Sequence, residues 1–208
     1  DLHIFDVTQD LDRRDNTAWA DDTAYNSGHI PGAAFLNVTL LSSSGQYNER
    51  GDVLHNMAGT PEQVTGVLQE VGIDDQTHVV LYSSRHVMWA TRVWWLMRSF
   101  RFKGSVSVLD GGLEAWICAG GTLATTATSY PPANYAPLHK ARTGALVGKE
   151  AVLRAMSNSQ TALIDSLKAA SFSGSKHSRY GRRGHISGAI NVPYPSVVDD
   201  KTGRFLDS

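Results

Sequence analysis

Two stretches decide the reading of this chain, GHIPGAAFLNV from Gly28 and GHISGAINVP from Gly184. Each follows, about twenty residues on, an apolar run that ends in aspartate: LHIFDVT with Asp6 and TALIDSL with Asp165. A pattern that recurs in the same order marks two copies of one structural unit. In each copy the glycines, joined in the first by a proline, set a tight turn. The histidine is expected to bond across the turn and hold it against the preceding aspartate, and Ile30 and Ile186 to point into a core. His29 and His185 are thus read as scaffold, not as catalytic groups.

Between the copies, β-rich runs alternate with helical patterns: HVVLY at 78–82, WATRVWWLMRSF at 89–100, SVSVLD at 105–110 and LEAWICAGG at 113–121. That alternation signals βαβ units, with a parallel sheet covered by helices. The DGG at 110–112 closes a strand and opens a helix, with Asp110 as the expected N-cap. Thr- and Pro-rich TTATSYPPANYAPLHK at 125–140 lacks periodicity and reads as an interdomain linker. The expected architecture is α/β, with two domains that are each a small parallel sheet flanked by helices. The first spans 1–124, a linker 125–142, and the front part of the second 143–208, where KEAVLRAMSN at 149–158 supplies a helix ahead of the strand TALID.

Composition narrows the functional classes. With 41% hydrophobic and 19% charged residues the chain can bury a sizeable core, unlike a disordered protein. A net charge of −1 carries no basic excess for nucleic acid. No apolar run reaches the roughly 18 residues that span a bilayer, so no membrane partner is expected. The single cysteine, Cys118, forms no internal disulfide, and eight scattered histidines lack metal-ligand spacing, so neither a metal nor another cofactor is expected. A cytoplasmic location is the simple expectation, with room for a targeting segment ahead of Asp1. Nothing in these residues reads out an oligomeric state.

Taken together, GHIPGA and GHISGA behind their Asp strands, VVLYSSRHVMWATRVWW and SVSVLDGGLEAW resemble the tandem-domain rhodanese and 3-mercaptopyruvate sulfurtransferase family, in the right order over essentially the whole chain. The resemblance implies two rhodanese-like domains, a small anionic sulfur donor such as thiosulfate or 3-mercaptopyruvate, and a thiol or cyanide acceptor. Family chemistry sits in a loop resembling Cys-Arg-x-Gly-x-x-Ala, whose backbone N–H groups surround the cysteine and stabilise its anion. On that pattern Ser84 stands at the cysteine, Arg85 at the arginine, Val87 at the glycine and Ala90 at the alanine. A serine forms no stable persulfide, so Ser84 and Arg85 mark a degenerate active loop and this 208-residue stretch is expected to be inactive.

His29 and Ser84 are 55 residues apart. Transferred to His185, that spacing puts the second domain's loop near position 240, about thirty residues past Ser208, where the catalytic cysteine is expected. Within the chain, Arg179, Arg182 and Arg183 are candidate contacts for the anionic donor, with an outward-facing solvated loop the equal alternative. Where some family members carry a substrate-binding arginine, DSLKAASF has Ser171. Cys118, amid Leu113, Trp116 and Ile117, is expected in the core, as are Trp89, Trp94 and Trp95 in packing. The alternative to an enzyme is a non-catalytic rhodanese-type binding or regulatory module. A hydrolase nucleophile at Ser84 fails because Tyr82 and His86 replace the glycines of G-x-S-x-G, and a related phosphatase would need cysteine and arginine where Ser84 and Ala90 stand.

Overall fold

A computed structural model describes residues 1–11, 18–43, 46–47, 51, 53–138, 141–176 and 182–207. Two compact units emerge, 1–142 and 143–208.

The first unit is built on four strands, β1 (Leu2–Asp6), β2 (Ala34–Phe35), β3 (His78–Tyr82) and β4 (Ser105–Val108). They run parallel in the order β4-β3-β1-β2. Helices α1 (Asp22–Ser27), α2 (Pro61–Glu70), α3 (Met88–Ser99) and α4 (Gly112–Cys118) supply the crossovers and the cover. Alternation along the strands assigns the two faces. Phe5, Val79 and Leu81 are fully buried with Val64 and Leu68 of α2 and Val93 and Leu96 of α3. Each such side chain stabilises the fold by about 1.5–3 kcal/mol. Tyr82 and Ile4 face the other way, onto Ile30, Leu113 and Trp116. The expected parallel sheet covered by helices is what forms.

Helix α3 shows why its sequence chose a helix. Trp89, Ala90, Val93, Leu96 and Met97 recur at 3.6-residue spacing and are all buried, whereas Trp94 is exposed. Helix α2 starts at Thr60, whose side chain accepts from the Gln63 amide, with Pro61 in the first turn.

Residues 125–142, expected to bridge two domains, lie along the first unit wherever they are described. Tyr130 accepts from the Ile4 amide at 3.0 Å and donates to the Gly32 carbonyl at 2.8 Å, filling a gap beside β1. Tyr135 and Leu138 are buried in its core.

The second unit pairs β5 (Ile164–Asp165) with β6 (Ile190–Asn191) in parallel, with α5 (Lys149–Met156) and α6 (Ala169–Phe172). Among the described residues, none of this unit is buried. Ile186, expected in a core, is therefore 50% exposed, while Ile30 is 3% exposed.

Candidate functional site

The strand order places the site. From β1 the chain moves to β2 at one edge, and from β3 it moves to β4 at the other, so the loops after β1 and β3 part at the carboxyl end of the sheet. Such a switch point is where open α/β sheets form their binding crevices. Thr8, after β1, and Ser84, after β3, meet there.

Asp6 ends β1 fully buried and accepts from the Thr8 amide at 2.8 Å. Burial raises its carboxyl above the usual range, and hydrogen bonds from Thr8 and Tyr82 and the charge of His29 partly oppose this. Burial likewise pushes the Tyr82 hydroxyl up, and Asp6 adds to the effect. The Tyr82 hydroxyl also accepts from the Ile30 amide at 3.2 Å, which ties β3 to the GHIPG turn.

That turn departs from expectation in one respect. The His29 ring meets the carbonyls of Tyr25 at 2.9 Å and Thr126 at 3.1 Å, so Thr8 and Tyr82, not the histidine, hold the Asp6 side chain. The reason is the position of α1, which presents the Tyr25 carbonyl directly to the ring.

The loop 83–87 carries Ser84 and Arg85. Three of its amides are committed to groups of the protein itself. The Ser84 amide donates to Thr8 Oγ1 at 3.0 Å, the Arg85 amide to Glu114 Oε1 at 2.9 Å, and the His86 amide to the Ser84 carbonyl at 2.7 Å. Ser84 Oγ lies 3.5 Å from Thr8 Oγ1. Arg85 takes a left-handed backbone, φ 64°, and its guanidinium bonds Asp21 Oδ2 at 2.9 Å. Asp21 Oδ1 in turn caps α1 through the Ala24 amide. A loop that would surround a thiolate is here filled by a threonine hydroxyl and a carboxylate.

Gly112 is what lets α4 close on this loop. A Cβ there would stand 2.3 Å from the Ser83 carbonyl oxygen, and φ is +59°. Gly111, also left-handed at φ 79°, is the N-cap of α4, in place of the expected Asp110. A left-handed cap needs glycine, and the two glycines turn the chain before an aspartate side chain could reach back over the helix end.

Cys118 is exposed at the end of α4, not buried, because the last turn of the helix points Ile117 and Cys118 away from the sheet. Arg182 and Arg183 are exposed beside the second turn, and Arg179 lies outside the described residues. No cluster of three potential metal ligands occurs among the described residues, and no described helix is long and apolar enough to cross a membrane. Thr8, Asp21 and Glu114 were not singled out by sequence. Their only signal was position, two residues after Asp6, one before α1, and two after Gly112.

In the second unit the local bonds of the turn repeat. His185 Nδ1 is 2.7 Å from the Phe172 carbonyl, and the two rings stack at 3.6 Å, as Tyr25 and His29 do at 3.9 Å. Asp165 Oδ1 takes the Leu167 amide at 2.8 Å, Ala189 N meets Ile186 O at 2.9 Å, and Gly188 shares the φ of 81° seen at Gly32.

Residues 1–119 match the family described as Rhodanese-like domain. The chain belongs to the rhodanese-like family. It is 32% identical over 189 residues to the 3-mercaptopyruvate sulfurtransferase of Escherichia coli strain K12, a match covering 88% of this chain and 64% of that protein. It is 33% identical over 208 residues to the putative thiosulfate sulfurtransferase SseB of Mycobacterium tuberculosis, covering 99% and 68%. The chain thus spans about two thirds of the length of these rhodanese-like relatives. The crystal structure of SseA from Escherichia coli, described with the rhodanese fold of 3-mercaptopyruvate sulfotransferases, superposes with a TM-score of 0.77 at 27% identity, covering 99% of this chain and 73% of that one.

Proposed function

We propose that this protein is a sulfurtransferase that moves a sulfane sulfur from 3-mercaptopyruvate or thiosulfate to a thiophilic acceptor such as cyanide or a thiol. The observation that carries the reading is the recurrence of the Asp-strand and GH-turn geometry in both units, while the first unit's loop holds Ser84 with the Ser84 and Arg85 amides already engaged. Two rhodanese-like domains then divide the labour. The first, 1–124, is scaffold, joined through 125–142 to the second, which begins at 143 and uses a cysteine in its own counterpart of the 83–87 loop.

The chemistry is a two-step covalent cycle. A cysteine thiolate attacks the outer sulfur of thiosulfate, the S–S bond breaks, and sulfite leaves with the electron pair. The acceptor then attacks the outer sulfur of the persulfide, which regenerates the thiolate; cyanide leaves as thiocyanate. No organic cofactor enters the balance. Arg182 and Arg183 supply positive charge near the second turn for the anionic donor, and Arg179 precedes them in sequence. A cytoplasmic setting fits the free, exposed thiol of Cys118. Taken alone, the first unit fits the non-catalytic role of a binding module, because Glu114 and Thr8 occupy the loop.

The test is sulfur transfer by the complete protein with each donor, with intact mass read after donor exposure. We expect a gain of about 32 Da on one cysteine of the second domain, lost when that cysteine is replaced by serine, and no turnover from residues 1–208. Turnover above background from 1–208, or a stable sulfur adduct on Cys118 that turns over, would sink the reading.

A further inference from the structure

Among the described residues, the buried histidine of the first turn faces two acceptors and no donor. His29 is completely buried, with Nδ1 at 2.9 Å from the Tyr25 carbonyl oxygen and Nε2 at 3.1 Å from the Thr126 carbonyl oxygen. A carbonyl oxygen can only accept, and a neutral imidazole has a single N–H. In either neutral tautomer one ring nitrogen would aim its lone pair at a carbonyl oxygen within hydrogen-bond distance. With both nitrogens protonated, each contact becomes a charge-assisted hydrogen bond. We propose that His29 is held as the imidazolium in the folded protein, and that its two N–H groups clasp the end of α1 to the segment that leaves the first unit. This goes beyond the sulfur-transfer reading and does not depend on it.

A buried cation needs compensation. Three groups provide the setting. Asp6 on β1 is buried, which raises its carboxyl, and the hydrogen bonds from Thr8 and Tyr82, then the charge of His29, act the other way and favour the ionised form. Tyr25 on α1 stacks its ring on the imidazole at 3.9 Å and 11°, an arrangement that suits a cation over an aromatic face. Tyr82 on β3 hydrogen-bonds Asp6 and receives the Ile30 amide, which fixes the carboxylate's position. The clasped segment, Ala124 to Thr126, brings no ionisable side chain.

The clasp acts together with backbone bonds. His29 and Ala124 exchange both N–H···O bonds at 2.9 Å, and the Tyr25 hydroxyl accepts from the Thr128 amide at 3.0 Å while donating to the Ala33 carbonyl at 2.8 Å. One turn therefore fastens residues 124–128. His185 is the internal control. Its ring is exposed, and among the described contacts only Nδ1 meets a carbonyl, so one N–H satisfies it.

Nitrogen-15 spectra of the 208-residue chain at about pH 7, in the range where histidines ordinarily change charge, decide the matter. We expect two protonated ring nitrogens on His29. One protonated and one bare nitrogen would overturn the proposal, and this measurement needs no variant. In His29→Gln, which retains a single donor group, amide exchange at Ala124 should accelerate about three- to tenfold, the loss of one hydrogen bond, and His185→Gln should leave it unchanged. Equal exchange at Ala124 in wild type and His29→Gln would also overturn it.

Discussion

The two GH turns share their local hydrogen bonds and differ in what covers them. In both, an aspartate caps the amide two residues on, a histidine bonds the carbonyl of a stacked aromatic, and a glycine takes φ 81°. Yet His29 and Ile30 are buried under β3, α4 and residues 124–126, while His185 and Ile186 are exposed. Local geometry therefore needs only the local sequence, since turn and stacking bonds close within about two dozen residues. Burial is a separate contribution, made by elements far along the chain. The comparison teaches that the motif specifies a shape and that surrounding strands convert the shape into stability.

The largest test of that separation is truncation of the paired isoleucines. Ile30→Ala should cost the first unit about 2–5 kcal/mol, because it opens a cavity beneath Tyr82 and Trp116. Ile186→Ala, in the open, should change its unit by about 0.5 kcal/mol or less. All five tryptophans belong to the first unit, so urea unfolding followed by tryptophan fluorescence reads the first variant, and amide exchange at Ala189 reads the second. Equal costs would break the comparison.

The paired aspartates give a smaller contrast. Asp6→Ala leaves the buried Thr8 amide and Tyr82 hydroxyl short of an acceptor, about 1–3 kcal/mol. Asp6→Asn keeps an acceptor and removes the burial of a charge, so it should cost less, by the same fluorescence measurement. Asp165→Ala frees only an exposed amide and should cost about 0.5–1 kcal/mol at most, read by exchange at Leu167.

Much of the first unit was legible in its sequence because its signals are local. The β-rich run HVVLY and the helical spacing from Trp89 to Met97 gave β3 and α3 to within a residue. The repeat foretold the matching turns, and the loop pattern singled out Ser84 and Arg85. What sequence did not show was partner choice across distance. Glu114 reaches the Arg85 amide over 29 positions, and Thr8 reaches the Ser84 amide over 76. Cys118 was misread because apolar neighbours in sequence imply burial only if the helix presents that side to the sheet, and the last turn of α4 does not. Asp110 was misread as a cap because two following glycines can place the helix start one residue later, in a backbone region that aspartate seldom takes.

The smallest effect expected is one of pH, and it too separates the units. His3 on β1 stacks on Tyr130 at 3.8 Å and 5°, with Nδ1 buried and without a partner among the described residues, and burial lowers its pKa from the ordinary histidine value against the opposing backbone hydrogen bond at Gly72. The folded state then binds fewer protons than the unfolded state, so stability is complete above about pH 6.5 and falls as pH drops below it. Asp6 acts in the opposite direction. Its raised carboxyl disfavours the ionised folded state, and acid relieves that cost. The net slope of the wild-type curve mixes the two, so the informative quantity is the difference between wild type and His3→Leu, which keeps a side chain beneath Tyr130 and cannot charge. Melting followed by tryptophan fluorescence between about pH 7.5 and 5 should fall more steeply in wild type. In the second unit Ala162 stands at the position of His3 relative to the strand-ending aspartate, so exchange at Ala189 should show no matching histidine effect. Parallel curves for wild type and His3→Leu would mean that the Tyr130 stack tolerates a charged ring, and that cover over β1 is looser than the burial of Phe5 beside it implies.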